Sequence, residues 1–234
     1  MNDFGQAFAA AFRLLIEFDP DLLGIVALSL RVSLTATLLA ALVGLPLGGA
    51  VALYPFPGRS IVKALLNACM GLPPVVVGLT VYLLLSRSGP LGELGLLFTP
   101  KAMIIAQAIL VTPIIAALTR QHIADLDAEY RDQLAALNTG PAARLTTLLW
   151  DGRFALLTVL LAGFGRAIAE VGAVIIVGGN IAHVTRVMTT TIALETSKGN
   201  LSLALALGII LISITLVINL AAMHIHDAAV RRYG

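Results

Sequence analysis

Residues 201–220 run for twenty positions without one charged side chain. A helix needs about 20 mainly apolar residues to cross the hydrocarbon core of a bilayer, so this stretch alone restricts the chain to a few architectures. Four more stretches share the character. Residues 25–54 carry Arg31 near the start and Pro46 towards the end, and residues 61–85 are interrupted by Pro73-Pro74. Residues 102–118 are short and contain Pro113, and residues 154–177 contain Gly163, Gly165 and Gly172 with the charges Arg166 and Glu170. Only 12% of the chain is charged, against about 25% in soluble domains. Barrel strands would show in-out alternation over about 10 residues, which residues 201–220 lack. Proline and glycine inside spans require neighbouring helices to re-satisfy freed backbone groups. The expected fold is therefore all-α: an integral membrane bundle of about five transmembrane helices, in contact with lipid.

The same composition excludes other classes. A net charge of +2 is too small to suggest nucleic-acid binding, and Cys69 is the only cysteine, which rules out an intrachain disulfide framework or a cysteine zinc site. Residues 1–15 place Asp3 before any basic residue and space Phe4, Phe8, Ala11, Phe12 and Leu15 helically, unlike a cleaved signal. They read as an amphipathic surface helix or as a frayed polar tail. The domain reading is an N-terminal amphipathic segment over residues 1–20 and a single membrane domain over residues 21–234.

Orientation follows the basic residues. With five spans, one side collects eight: Arg59, Lys63, Arg120, Arg131, Arg144, Arg153, Arg231 and Arg232. The other collects five: Arg13, Arg87, Lys101, Arg186 and Lys198. The excess puts the C-terminus and the interval 119–153 in the cytoplasm and the N-terminus outside.

That interval is the longest polar one, too long for a simple helix connection of about 2–8 residues. Ile123, Leu126, Tyr130, Leu134 and Leu137 repeat at helical spacing, Asn138-Thr139-Gly140 supplies a turn, and Pro141 suits the first position of a second, short helix carrying Arg144. A helix–turn–short helix projecting from a bundle can be a docking knob or a surface loop.

Asp132-Gln133-Leu134-Ala135-Ala136-Leu137-Asn138, followed by Gly140 and Pro141, resembles the "EAA" loop by which ABC importer permeases contact their ATPase. Asp132 stands where that family usually has Glu, and Asn138 where it usually has Gly. Gly71-Leu72-Pro73-Pro74-Val75-Val76-Val77-Gly78-Leu79, then Ser88-Gly89-Pro90-Leu91-Gly92 and Ala106-Gln107-Ala108, look like successive segments of molybdate-type permeases. Gly163-Phe164-Gly165-Arg166-Ala167-Ile168-Ala169-Glu170-Val171-Gly172-Ala173, ending in Gly178-Gly179-Asn180-Ile181, is similar to the signature of molybdate and tungstate permeases. Thr147-Leu148-Leu149-Trp150 and Thr189-Thr190-Thr191-Ile192-Ala193-Leu194-Glu195 lean towards the tungstate branch. The resemblance covers about residues 30–210. It implies a homodimeric permease in the cytoplasmic (inner) membrane, two copies of a separate ABC ATPase that hold the ATP and magnesium, and an extracytoplasmic oxyanion-binding protein. It also implies coupling through Asp132, Ala135, Ala136, Leu137, Asn138, Gly140, Pro141 and Arg144. The chain has no G-x-x-x-x-G-K-[ST] phosphate loop, so no nucleotide cofactor is expected on it.

Arg166 and Glu170, four apart, are expected on one face of the fourth helix, about 18 Å and 24 Å in from Phe154 at 1.5 Å per residue. Ionisable groups that deep cost about 2.5–3.5 kcal/mol on insertion scales and usually face the bundle interior or a watery path. They read either as lining a translocation route or as a self-neutralising pair. A carboxylate is a poor ligand for a divalent oxyanion, so Glu170 is expected to hold helices through Arg166 without touching substrate. Pro73, Pro74, Gly172 and Asn180 complete the candidate pathway and gate. Thr185 and Thr189–Thr191, with His183 and Arg186, read as a solvated outer loop or a docking place. His224 and His226, two apart, sit about 200° apart on a helix, a poor chelating geometry. No catalytic site is found. The functional expectation is a permease for tungstate, with molybdate or sulfate as alternative cargo and a stand-alone channel or secondary transporter as the competing class.

Overall fold

The computed structural model describes residues 19–233 and, before them, Gly5, Phe8, Ala9, Phe12, Arg13, Ile16 and Glu17; the side chains of Ala222 and of residues 225–233, His226 among them, are not described. Phe4, Ala11 and Leu15 of the expected amphipathic segment also lie outside the described residues. The elements are α1 (Pro20–Leu53), α2 (Arg59–Cys69), α3 (Pro74–Leu85), a 3-10 turn (Gly92–Leu94), α4 (Pro100–Glu129), α5 (Arg131–Ala136), α6 (Pro141–Asp151), α7 (Arg153–Ile168), α8 (Gly172–Gly178), α9 (Met188–Ser197) and α10 (Leu201–Tyr233). Among the described residues there is no strand. Among the described residues three helices are long and apolar enough to cross a membrane: α1, α4 and residues 201–221 of α10. Two bent pairs, α2–α3 at 101° and α6–α7 at 74°, bring the number to five if each is taken as one span.

Two sequence expectations need correction. The third span does not end at Leu118, because α4 continues to Glu129. Thr119, Arg120, Gln121 and His122 are polar, and they end the apolar run without ending the helix. Ile123 continues the helical pattern and is fully buried. The fourth span is not one helix either. α7 stops at Ile168 and α8 starts at Gly172, so Glu170 lies in a break and not on the helix face that carries Arg166.

The chain folds into two compact units, residues 1–36, 73–107 and 167–218, and residues 37–72, 108–166 and 219–234. The first is apolar around Val32, Met103, Ala106, Val174, Val177, Met188 and Leu207, and it also buries polar side chains: Ser29, Ser33, Gln107, Glu170, Thr185, Thr189, Thr190, Thr191 and Glu195. In the second, Gly48 of α1 lies so close to the α4 backbone at Ala116 and Arg120 that a methyl group would not fit, the small-residue contact by which membrane helices approach. Arg59 donates from Nε to the Val51 carbonyl at 2.8 Å and from Nη2 to the Ala52 carbonyl. It thereby satisfies acceptors that the end of α1 leaves free.

Candidate functional site

In the second unit, the interval that resembles a coupling loop is built on one apolar cluster. Ala52, Ile123, Leu134 and Leu148 are buried together, with Leu53, Ala124, Leu126, Tyr130 and Leu149 packed around them. Leu134 is the only buried residue of α5. Asp132, Ala135, Ala136, Leu137, Asn138, Gly140 and Pro141 are all exposed, and Leu137 keeps 73% of its surface. The helix ends in a left-handed stop at Asn138, φ 48°. Asn138 N–H donates to the Ala135 carbonyl and Thr139 N–H to the Leu134 carbonyl, the paired bonds of a Schellman motif. Asparagine is the non-glycine residue that tolerates this conformation best, which explains how it fills a place the family gives to glycine. Pro141 then opens α6 as its first residue, after Gly140 in extended conformation. Arg144 is tied into the chain. Its Nε and Nη2 both lie 2.6 Å from Asp127 Oδ1, which ties α6 to the end of α4. The Asp151 carboxylate pushes the Tyr130 phenol up, by hydrogen bonding first and charge second.

In the first unit, residues 169–171 interrupt the chain without a proline. The groups freed there are caught by side chains. Gln107 of α4 donates from Nε2 to the Ala167 carbonyl at 2.9 Å, and Thr189 of α9 donates to the Glu170 carbonyl at 2.8 Å. The Glu170 carboxylate, 3% exposed, accepts from Ala173 N–H at 3.1 Å. It therefore supplies an acceptor at the start of α8, whose first N–H groups have no partner within the helix. Pro73 and Pro74 make a second break of a different kind: Pro73 is extended at φ −65°, ψ 120°, and Pro74 is the first residue of α3.

The helices that leave these two breaks cross. A methyl group on Gly78 would sit 2.7 Å from Ala173 Cα, and one on Gly172 would meet Val75 Cγ2 at 3.0 Å. Val75, Val76, Leu79 and Leu83 of α3 and Val171 and Ile175 of α8 remain exposed. The structure thus brings Pro73, Pro74, Glu170 and Gly172 into one neighbourhood. Arg166 is half-buried on α7.

Asn180, at φ 49°, starts the loop after α8 and is anchored to α9: its Oδ1 accepts from Thr190 Oγ1 at 2.9 Å. Thr185 donates to the Gly178 carbonyl at 2.5 Å and accepts from Ile181 N–H at 2.9 Å. Met188 N–H donates to Ser29 Oγ of α1 at 2.8 Å. Thr185 and Thr189–Thr191 are therefore buried structural anchors, contrary to their reading as a solvated loop. Glu195 accepts from Lys198 Nζ and Asn200 Nδ2, each at 2.9 Å. The bond from Lys198, then that from Asn200, holds its carboxyl below the usual range.

The sequence reading missed the roles of Gln107, Thr189 and Gly78. Each lies in a quoted motif, but only the contact across elements reveals what it does. Among the described residues no group of three or more His, Cys, Asp or Glu is arranged to hold a metal ion.

Comparison with known proteins agrees with this geometry. Residues 44–234 match the family described as "Binding-protein-dependent transport system inner membrane component". The chain is 41% identical to a probable anion ABC transporter permease protein of Haloferax volcanii, over 91% of this chain and 94% of that one. It is 42% identical to the tungstate uptake system permease protein TupB of Peptoclostridium acidaminophilum, over 94% and 96%. It is 38% identical to the TupB protein of Campylobacter jejuni, over 92% and 90%.

Proposed function

This chain belongs to the family of binding-protein-dependent transport system inner membrane components, and on that premise we propose that it is the membrane-spanning subunit of an ATP-driven importer carrying an oxyanion, tungstate, across the cytoplasmic membrane. One observation carries the reading: α5 is a short helix fixed by Leu134 alone, with the rest of its surface open to a partner. The names of the Haloferax, Peptoclostridium and Campylobacter relatives support an anion, and tungstate in particular.

In this reading residues 21–234 act as one membrane domain and two copies of the chain enclose the path. Two ATPase subunits hold ATP and magnesium and seat the exposed α5 helices through Asp132, Ala135, Ala136, Leu137 and Asn138. Gly140 and Pro141 set the entry of α6, and Arg144 stiffens the knob through Asp127. The cytoplasmic side is that of α5 and the C-terminus. On the outer face a binding protein delivers the anion, and closure of the ATPases draws the two knobs together and reverses the opening. Pro73, Pro74, Glu170 and Gly172 form the gate region, with Asn180 after the end of α8, and Arg166 of α7 belongs to the translocation path. Glu170 is a helix-capping residue of the gate and not a ligand, because its carboxylate is turned to the α8 backbone.

The test is reconstitution in vesicles. Tungstate uptake should require the ATPase, ATP and the binding protein together. Uptake by this chain alone would overturn the proposal in favour of a channel or secondary transporter.

A further inference from the structure

We infer that the elbow between α6 and α7 is a binding site for an anionic phospholipid headgroup, with the Trp150 ring seated at the membrane interface and the Arg153 guanidinium offered to the lipid phosphate. The inference needs only that the α6–α7 pair is a span, so it does not stand or fall with the cargo. α7 opens with Arg153 and then carries no charged side chain over residues 154–165. α6 meets it at 74°. A helix set that way against a spanning one runs near the plane of the membrane, at the level where apolar tails give way to headgroups. Trp150, in the last turn of α6, is therefore placed at the mouth of the span.

Trp150 is the only tryptophan of the chain and is 71% exposed, whereas Leu148 of the same helix is fully buried. An indole has an apolar body and a single N–H, a combination suited to the level where lipid and water meet. Arg153 lies against it. Its guanidinium carbon is 4.8 Å from the Trp150 ring centre and 4.4 Å from the Phe154 ring centre, within the range of a cation–π contact. Its Nη1 donates to the Trp150 carbonyl at 2.7 Å, which closes the end of α6. Among the described residues no carboxylate pairs with Arg153. Asp151, two residues before it, is hydrogen-bonded to the Tyr130 hydroxyl.

An aromatic ring answers the charge of a guanidinium without accepting its N–H groups as a carboxylate does. With Nη1 committed, Nε and Nη2 remain as a planar fork that matches two oxygens of one phosphate. The ligand thus needs an anionic phosphate head and, beside it, an apolar body for the two rings to meet. That is an anionic phospholipid and not a free ion. Such an anchor would also set the height of α5 above the bilayer, because α6 is fixed to the rest of its unit. Arg144 ties it to Asp127 of α4, and its Leu145 packs so close to Gly49 of α1 that a methyl group there would not fit.

The experiment uses the full chain in lipid bilayers, where the fluorescence of its single tryptophan reports on this one site. Quenching by brominated phosphatidylglycerol is compared with quenching by brominated phosphatidylcholine, each diluted into unbrominated lipid, and with quenching by aqueous iodide. Both lipids should quench Trp150, and iodide should do so only weakly. Phosphatidylglycerol should associate about fivefold more strongly than phosphatidylcholine, the scale for one basic residue at an anionic membrane surface. Arg153→Gln should bring the two lipids level, and a preference that survives this substitution overturns the inference. Equal association of the two lipids in the wild type, or quenching by iodide alone, overturns it without recourse to any variant. The wild-type measurement is then repeated with the ATPase bound, its own tryptophans replaced by phenylalanine. Lipid quenching should persist, and its loss would assign Trp150 to a protein interface and overturn the inference.

Discussion

Two interruptions, at Pro73-Pro74 and at residues 169–171, feed helices into the same crossing, but they are made by opposite means. The first is covalent: two consecutive residues without an N–H and with φ fixed by the ring. The second contains Ala169, Glu170 and Val171, none of which is a strong helix breaker. It exists because Gln107, Thr189 and the Glu170 carboxylate take up the backbone groups that a break exposes. In a low-dielectric interior each unmet group is expensive. A break of the second kind therefore depends on three elements at once, and a break of the first kind depends on itself.

Substitutions test that contrast. The largest effect should come where the two helices meet. Gly78→Ala would put a methyl group 2.7 Å from Ala173 Cα. Backbone cannot step aside as a side-chain tip can, so the loss should reach at least about 3 kcal/mol, the upper end of overpacking costs, read as thermal unfolding in detergent. Glu170→Leu should follow at about 1–3 kcal/mol for the stranded Ala173 N–H. Glu170→Gln, which keeps an acceptor, should recover most of that. A lost transport activity in Glu170→Gln with stability intact would contradict a purely capping role. Thr189→Val, near in shape, should cost about 1 kcal/mol by orphaning the Glu170 carbonyl.

Pro74→Ala should cost less than Gly78→Ala, Glu170→Leu or Thr189→Val, under about 1 kcal/mol, because a proline at the first helical position gives up no helix hydrogen bond. If it costs as much as Glu170→Leu, the contrast between the two breaks collapses. Outside the comparison, Asn138→Ala should loosen the end of α5 by about 1 kcal/mol through its left-handed backbone, visible as faster amide exchange over residues 131–140, and Asn138→Gly should not.

The same contrast explains what could be read from the chain. Pro73-Pro74, the Asn138-Thr139-Gly140 turn and Pro141 are legible because their conformational preferences are local. The break at Glu170 was not legible, since its cause lies on α4 and α9, far away in sequence. The length of α4 was misjudged for another reason: an apolar count measures how far a segment suits lipid, while a helix persists through Thr119–His122 wherever its backbone bonds continue. Arg144 is read as a coupling residue from its place in the motif, and its ion pair with Asp127 was not legible because Asp127 lies outside that motif.

The single anchor of α5 has a consequence for how such a subunit can change over evolutionary time. With Leu134 alone committed to the interior, the remaining positions of the helix carry no folding duty. Under the coupling role proposed for α5, they are free to drift in step with the ATPase that the subunit meets. Partner choice can then be rewritten without re-deriving the fold, and Leu134 is the one position of the helix where such drift is forbidden.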